Sequence, residues 1–372
     1  MTLLSITDAR AHKISFIEEK AHAELARIRK ARDKQMYPYF REFETGGLHT
    51  TIAGHPIVNF SSNDYLGLTN HPKVKEAAHR AVDKYACGLS SSRVQATTVD
   101  HVSLENRLAK WFGFEKALVF TTGYQAMVGT ISALADKDTT LILDSYSHAC
   151  ILDGTFLAAG TPGRAPEVRF FNHNSVKSLE RILKTRERKN AIVLIEGVYS
   201  LDGDKAPIKE MVDICAAHDA FIILDEAQNT ARSFLFSASL PVPIVAAAST
   251  ILDMLEDEGP KMVTELHQKS EYFRSSLKTA GFDLGASNTH IMPVYCRDER
   301  KTLFMHLALL ECGVLMVPIL YPGVKIGEER LRVNVTRGHT QEDMDTTIEL
   351  LKNYGDAFFV LSGEPLGELE DD

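Results

Sequence analysis

Four short polar clusters each follow an apolar run: Thr121-Thr122-Gly123-Tyr124 after ALVF, Asp144-Ser145-Tyr146-Ser147-His148 after TLIL, Glu196-Gly197-Val198-Tyr199-Ser200 after AIVLI, and Asp225-Glu226-Ala227 after FIIL. A Thr-Gly pair ahead of a helix is often only a turn and an N-cap. At a helix start, however, it also leaves backbone N–H groups unpaired at the positive end of the helix dipole, which suits a phosphate. Asp225 ends an almost wholly apolar strand, where a carboxylate is costly unless a cation meets it. A protonated heterocyclic nitrogen is one such cation. Taken separately, His148 is more often a satisfied surface or core histidine, and Asp225 could be a metal ligand.

The elements around these clusters decide between the readings. From about residue 70 the pattern predicts a helix after His71-Pro72, a helix over 103–112, a strand over 117–120, a helix from Tyr124, a strand over 140–143 and a helix from about Cys150. It continues with strand 168–171, helix 175–184, strand 191–195, helix 208–218 and strand 221–224. Strands this apolar, separated by amphipathic helices, imply a mostly parallel α/β sheet with helices on both faces. Ligands bind such sheets at the carboxyl ends of the strands, where all four clusters fall. A phosphate on a helix terminus, an imidazole over a ring and a carboxylate that keeps the ring nitrogen protonated are what pyridoxal 5′-phosphate (PLP) requires.

Before this region, a stripe of apolar residues between Thr7 and Lys34 predicts an N-terminal helical arm, and LHTTIAGHPIVNF predicts a hairpin turning at Ala53-Gly54. After Pro243 come two predicted helical stretches, a strand near 290–295, a helix over 301–312, a strand over 330–335 and a helix over 341–354. The expected organisation is an arm and hairpin over 1–60, a large cofactor-binding domain over 61–240, and a smaller C-terminal α+β domain over 241–372 with an acidic tail.

The segments NFSSNDYLGLTNHPKV, SLENRLAKWFG, VFTTGYQAM, LDSYSHACILDG, FNHNSVKSLE, IEGVYSLDGDKAPIKEMVDIC, ILDEA, RSFLFSASLP and LRVNVTRGHT, in this order, resemble the α-oxoamine synthases. That family of fold-type I PLP enzymes joins an amino acid to an acyl-CoA thioester and releases carbon dioxide, giving a 2-amino ketone. The resemblance implies that Gly123 and Tyr124 lie at the cofactor phosphate, that His148 stacks on the ring, that Ser200 lies near the ring oxygen, and that Asp225 bonds the pyridine nitrogen. His148 and Asp225 are thereby the expected catalytic residues. Ser237 would reach the phosphate of a neighbouring subunit in a homodimer, and Asn63 and Arg332 would hold the amino-acid carboxylate. Arg332 could otherwise be an ordinary edge-strand charge, although its planar fork suits a carboxylate.

One departure stands out. In the family a Schiff-base lysine follows the DEA strand by several tens of residues, beyond a further strand. Here Asp225-Glu226-Ala227 runs within a few residues into Arg232-Ser233-Phe234-Leu235-Phe236-Ser237, and no lysine lies between Asp225 and Ser237. The next, Lys261, sits in an acidic helical stretch. Three explanations compete: residues omitted from the sequence, a block deleted from the protein, or a degenerate lysine-less subunit; the resemblance places two strands of the sheet in the block, so its loss would leave open edges.

Composition bounds the rest. The 372 residues carry a formal charge of −9, which argues against nucleic acid as the main partner. The five cysteines show no CxxC or zinc spacing and read as reduced thiols of a cytoplasmic protein, and no uncharged apolar run is long enough to span a membrane. YPYFREFETG resembles bacterial serine palmitoyltransferases, so serine with a long acyl-CoA is the first expectation. Alanine with a pimeloyl thioester, or glycine with a short acyl-CoA, follows.

Overall fold

The computed structural model describes residues 25–366 apart from 27, 34–35, 94 and 226–239. Ser237 and most of the expected N-terminal arm therefore lie outside the described residues; within the arm, 25–26 and 28–33 are helical.

The central sheet is built from β3 (Thr139–Asp144), β4 (Glu167–Phe171), β5 (Asn190–Glu196) and β6 (Phe221–Asp225), all parallel, in the order β4-β3-β5-β6. Every residue of β3 is buried, as is every residue of β5 after the first, because helices cover both faces. One face packs on α3 (Gly123–Leu134) and α4 (Ala149–Ala159) through Ile131, Leu141, Leu143 and Ile151. The other packs on α5 (Val176–Thr185) and α6 (Ile208–Ala217) through Leu179, Val193, Ile195 and Met211. Each of α3, α4 and α5 begins at a side-chain cap, Thr122, His148 and Ser175 respectively, so the chain leaves the strand ends in a fixed direction.

The expected strand over 117–120 is not formed. Its segment pairs with no described strand, and the Val119 N–H donates instead to Glu105 Oε1 at 3.1 Å. Glu105, on α2 (Val99–Phe112), is itself held by a two-pronged bond from Arg93 at 2.9 Å on each arm. On the far side of the sheet β6 pairs only with β5 among the described residues. Open edges are what the resemblance implies for a chain lacking the strands between.

The two helical stretches expected after Pro243 are a single 38-residue helix, α7 (Val242–Thr279), which runs through Pro260. It packs on α1 (Pro72–Tyr85), and its buried residues recur from Val245 through Leu252, Met262, Leu266 and Phe273 to Leu277, so one continuous face outweighs the local cost of the proline.

The expected hairpin is present: β1 (His49–Ile52) and β2 (His55–Asn59) turn at Ala53 and Gly54, both with positive φ, as a two-residue turn of this hand demands. The C-terminal part contains β7 (Ile291–Tyr295), α8 (Glu299–Glu311), the short strands β8 (Val314–Leu315) and β9 (Val317–Ile319), β10 (Arg330–Asn334) and α9 (Gln341–Ala357). The antiparallel order is β7-β10-β9, while β8 joins the N-terminal hairpin through β2. Phe60, fully buried, belongs to the same core as Phe273, Met292, Met305, Leu331 and Leu351, so the chain just after the hairpin is part of the C-terminal core.

The loop after β5 fastens the parallel sheet to this second sheet. Thr289 donates to Gly203 O at 2.7 Å, and Arg330 donates to Asp202 at 2.8 Å. Gly203 has φ +68°, and a Cβ there would lie 1.9 Å from the Ile291 carbonyl oxygen. Replacing Gly203 with Ala is expected to cost more than the roughly 1–2 kcal/mol of a left-handed residue alone. Gly163→Ala, at φ +73° with open space around it, should cost only that much. Urea unfolding of both variants measures the difference, and equal losses would show that the Gly203 contact is relieved without cost.

Candidate active site

Three carboxylates stand in a row where adjacent strands end: Asp144 on β3, Glu196 on β5 and Asp225 on β6, the last two directly opposite in register. Each solves its burial differently. Asp144 is fully buried and accepts from the backbone N–H groups of Tyr146 (2.8 Å) and Asn174 (2.9 Å) and from His173 Nδ1 (2.9 Å). Burial alone would raise it, but these bonds outweigh burial and hold it below the usual carboxylate range. His173 turns its other nitrogen to Asp204 at 2.9 Å and lies under the stacked ring of Tyr146 at 4.3 Å. Burial would lower its pKa, yet the two carboxylates override that and raise it to about 9, so the ring is an imidazolium at neutral pH.

Glu196 is 5% exposed, and its Oε1 accepts from the backbone N–H of His148 at 2.6 Å. That bond sets the start of α4 and hence the position of the His148 side chain. Burial, reinforced by the charges of Asp225 and Asp144, pushes Glu196 up to about 8 despite the His148 bond. Asp225 is also raised by burial, less a contribution from the Cys150 S–H bond and the charge of His148. No Lys or Arg pairs with it among the described residues. Its neighbours are Cys150, whose Sγ is 3.5 Å from Asp225 Oδ2, and His148, whose Nδ1 is 2.9 Å from that sulfur.

At the neighbouring helix start, the α3 cap Thr122 is bonded to the N–H of Gln125 at 3.1 Å. The N–H groups of Gly123 and Tyr124 bond to no described residue, and the missing Cβ of Gly123 faces open space. Tyr124 donates its hydroxyl to Asp153. The described residues thus fit PLP on two counts: free N–H donors at a helix terminus for its phosphate, and a half-buried carboxylate lacking a cation for its pyridine nitrogen.

Ser200 lies on the loop after β5, where its carbonyl accepts from Arg332 Nε at 2.7 Å. This bond orients the half-buried guanidinium while its two terminal nitrogens bond to no described residue, leaving the fork open. Asn63 lies on the same side: its Oδ1 accepts from Asn334 Nδ2 at 3.2 Å, two residues along β10 from Arg332. The structure therefore joins Ser200 with Arg332 and gathers His148 with Asp225, with Asn63 beside β10. Ser237 is outside the described residues.

Sequence reasoning missed Glu196, Cys150 and the Asp144–His173–Asp204 bridge as parts of the site. Glu196 and Asp144 stood within the recognised strand-end clusters, and His173 is the second residue of the polar run Asn172-His173-Asn174-Ser175 after β4, so the same strand-end rule would have found them. A pH test follows from His173. Its pKa rises on folding, so the stabilisation it brings is fully present below about 6.5 and is lost as pH climbs through about 9. The span corresponds to at most about 3 kcal/mol. Urea unfolding between pH 6 and 10 should show His173→Gln less stable than the parent at pH 6, with the gap closing by pH 10; a gap independent of pH would remove the imidazolium from the account.

The model of the aminotransferase class I and II family matches the chain in two stretches, residues 55–228 and 227–351, which meet just after Asp225. The serine palmitoyltransferase of Bacteriovorax stolpii is 30% identical over 399 residues, covering 92% of this chain and 93% of the relative. The 8-amino-7-oxononanoate synthase of Thermoanaerobacter pseudethanolicus is 31% identical, covering 92% and 98%. Among solved structures, serine palmitoyltransferase with PLP matches at a TM-score of 0.85 and 27% identity, covering 92% of this chain and 99% of that one. The Sphingomonas wittichii serine palmitoyltransferase matches at 0.84 with the same identity and coverage. On these matches the chain belongs to the aminotransferase class I and II family, within its α-oxoamine synthase branch of fold-type I PLP enzymes.

Proposed function

We propose that the protein is a PLP-dependent α-oxoamine synthase that condenses an amino acid, serine first, with a long-chain acyl-CoA and releases carbon dioxide, as in the first step of sphingoid-base synthesis. The observation that carries this reading is Asp225, half-buried at the end of β6 without a cation among the described residues and set in one cluster with His148 and Cys150. The identity to serine palmitoyltransferase and the resemblance of YPYFREFETG support serine over alanine. The 8-amino-7-oxononanoate synthases among the relatives make alanine with a pimeloyl thioester the next substrates to test.

The tasks are those the family resemblance implies. Gly123 and Tyr124 would donate backbone N–H bonds to the cofactor phosphate, and the partner subunit's Ser237 would complete that seat in a homodimer. Asp225 would hold the pyridine nitrogen protonated, His148 would cover the ring and Ser200 would lie by the ring oxygen. Bound in this way, PLP supplies an electron sink for the carbanion at the amino acid's α-carbon. Arg332, with its Nε held by Ser200, grips the amino-acid carboxylate through its terminal nitrogens, and Asn63 closes the same end. Orientation of that carboxylate is the protein's share in its later loss.

A specific observation favours a second reading, that this chain is a lysine-less subunit that holds PLP without turnover. No lysine separates Asp225 from Ser237, and the family match breaks at that point. In S. paucimobilis, a lysine-to-alanine serine palmitoyltransferase was solved with bound PLP and myriocin, so that relative holds the cofactor without its lysine.

One experiment separates the readings. PLP is added to purified protein, borohydride is used to fix it, and serine, glycine and alanine are screened against short and long acyl-CoAs. A borohydride-fixed lysine with ketone product supports the synthase. Cofactor absorption without fixation or product supports the lysine-less subunit, and absence of cofactor absorption overturns both. Arg332→Ala should weaken the spectral change induced by amino acids at least about tenfold while leaving PLP binding intact. Equal loss of both would make Arg332 a structural residue.

A further inference from the structure

His148, Cys150 and Asp225 meet at a single point. The relevant nitrogen, sulfur and oxygen atoms all lie within 4.8 Å of one another. His148 Nδ1 is 2.9 Å and Asp225 Oδ2 is 3.5 Å from Cys150 Sγ. One thiol proton sits between two acceptors, and His148 Nδ1 also accepts from the Cys150 backbone N–H at 3.2 Å. In a tetrahedral zinc site, bonds of about 2.0–2.3 Å to N, O and S place ligand atoms about 3.5 Å apart. The sulfur–oxygen edge already has that length, the nitrogen–sulfur edge must open by a fraction of an ångström, and the nitrogen–oxygen edge lies within 4.8 Å.

The groups are held by two parts of the fold, the end of β6 and the start of α4. Asp225 is fixed by the β5–β6 ladder, Cys150 is 2% exposed in the first turn of α4, and His148 is fixed through its backbone bond to Glu196 at 2.6 Å. His148 is exposed, which leaves a fourth position open to water. The strand-end row holds Asp144, Glu196 and Asp225, while the imidazolium of His173 is already committed to Asp144 and Asp204. No cation meets Asp225 among the described residues, and nitrogen with thiolate selects a borderline-soft one.

We propose that the cofactor-free protein binds one zinc-class divalent cation through His148, Cys150 and Asp225, and that this cation and PLP exclude one another because both need His148 and Asp225. Binding breaks the Cys150 S–H bond, forms a metal–sulfur bond and releases that proton to solvent. The exclusion rests on the cofactor reading above; the metal site does not.

The test uses cofactor-free full-length protein in which the exposed Cys87 and Cys312 are replaced by Ser to remove adventitious thiols. Cobalt(II) should bind with one-to-one stoichiometry and give a thiolate charge-transfer band, and zinc should abolish that band. Cys150→Ser should eliminate the band and weaken zinc binding at least about tenfold, with Cys150→Ala as a second variant and circular dichroism confirming that both fold. Added PLP should release the zinc, read with a chromogenic chelator. Absence of saturable one-equivalent binding, or unchanged zinc affinity in both Cys150 variants, overturns the metal site. Simultaneous binding of both ligands overturns the exclusion. PLP absorption measured on metal-free protein in parallel keeps failure of the metal site distinct from failure of the cofactor reading.

Discussion

The whole site depends on one constraint: parallel strands that are apolar to their last residue end in carboxylates that the fold has already taken out of water. A buried carboxylate is tolerated when it is bonded, paired or protonated. Asp144 takes the first two solutions through backbone N–H groups and His173, Glu196 takes the third, and Asp225 is left for whatever the pocket binds. Along the row the acids run from one saturated by three bonds to one that accepts only the Cys150 thiol among the described residues. The row also orders the chemistry, because only at the β6 end does an incoming cation gain a partner that no described side chain supplies.

The loop after β5 carries this constraint across the molecule. Three consecutive residues face three different neighbours: Asp202 accepts from Arg330, Gly203 accepts from Thr289, and Asp204 accepts from His173 and Asn174. Two of these partners belong to the antiparallel part and the others to the parallel sheet. Ser200, in the same loop, positions Arg332. Arg332 and the loop after β5 are thus parts of one linkage, although they lie more than a hundred residues apart in sequence. A left-handed glycine at its centre is the condition for the close approach.

Much of this was legible in the sequence, for a physical reason. Strand ends in an α/β sheet are marked by the change from apolar to polar residues, and the clusters at Gly123, His148, Ser200 and Asp225 all lie at such changes. The hairpin was legible too, because Ala53-Gly54 must take positive φ between two alternating runs. What was not legible depends on contacts between distant residues. The bridge of His173 between Asp144 and Asp204 needs two loops to meet, and the union of β8 with the N-terminal hairpin joins residues more than two hundred apart. The expected strand over 117–120 failed for a related reason, since an apolar run becomes a strand only if another edge lies beside it. The two stretches read after Pro243 merged because helix propensity weighs Pro260 locally, whereas the face packed on α1 is continuous.

The missing strand and the missing lysine belong to one problem. β6 has a single strand neighbour among the described residues, and the segment over 117–120 joins no described strand, its Val119 N–H donating to Glu105 rather than to a ladder. In the family resemblance, two strands stand between these edges and one of them leads to the lysine. A chain that had merely exchanged its lysine for another residue would keep both edges paired; here the structural gap and the chemical gap coincide, at the point where the family match divides. The parts of the pocket that rest on β3, β5 and β10 are intact because their bonds close among themselves. Among the described residues the break is confined to the side of Asp225 where β6 has no second strand, the side on which the family resemblance sets the segment with the lysine that acts as acid and base at the α-carbon.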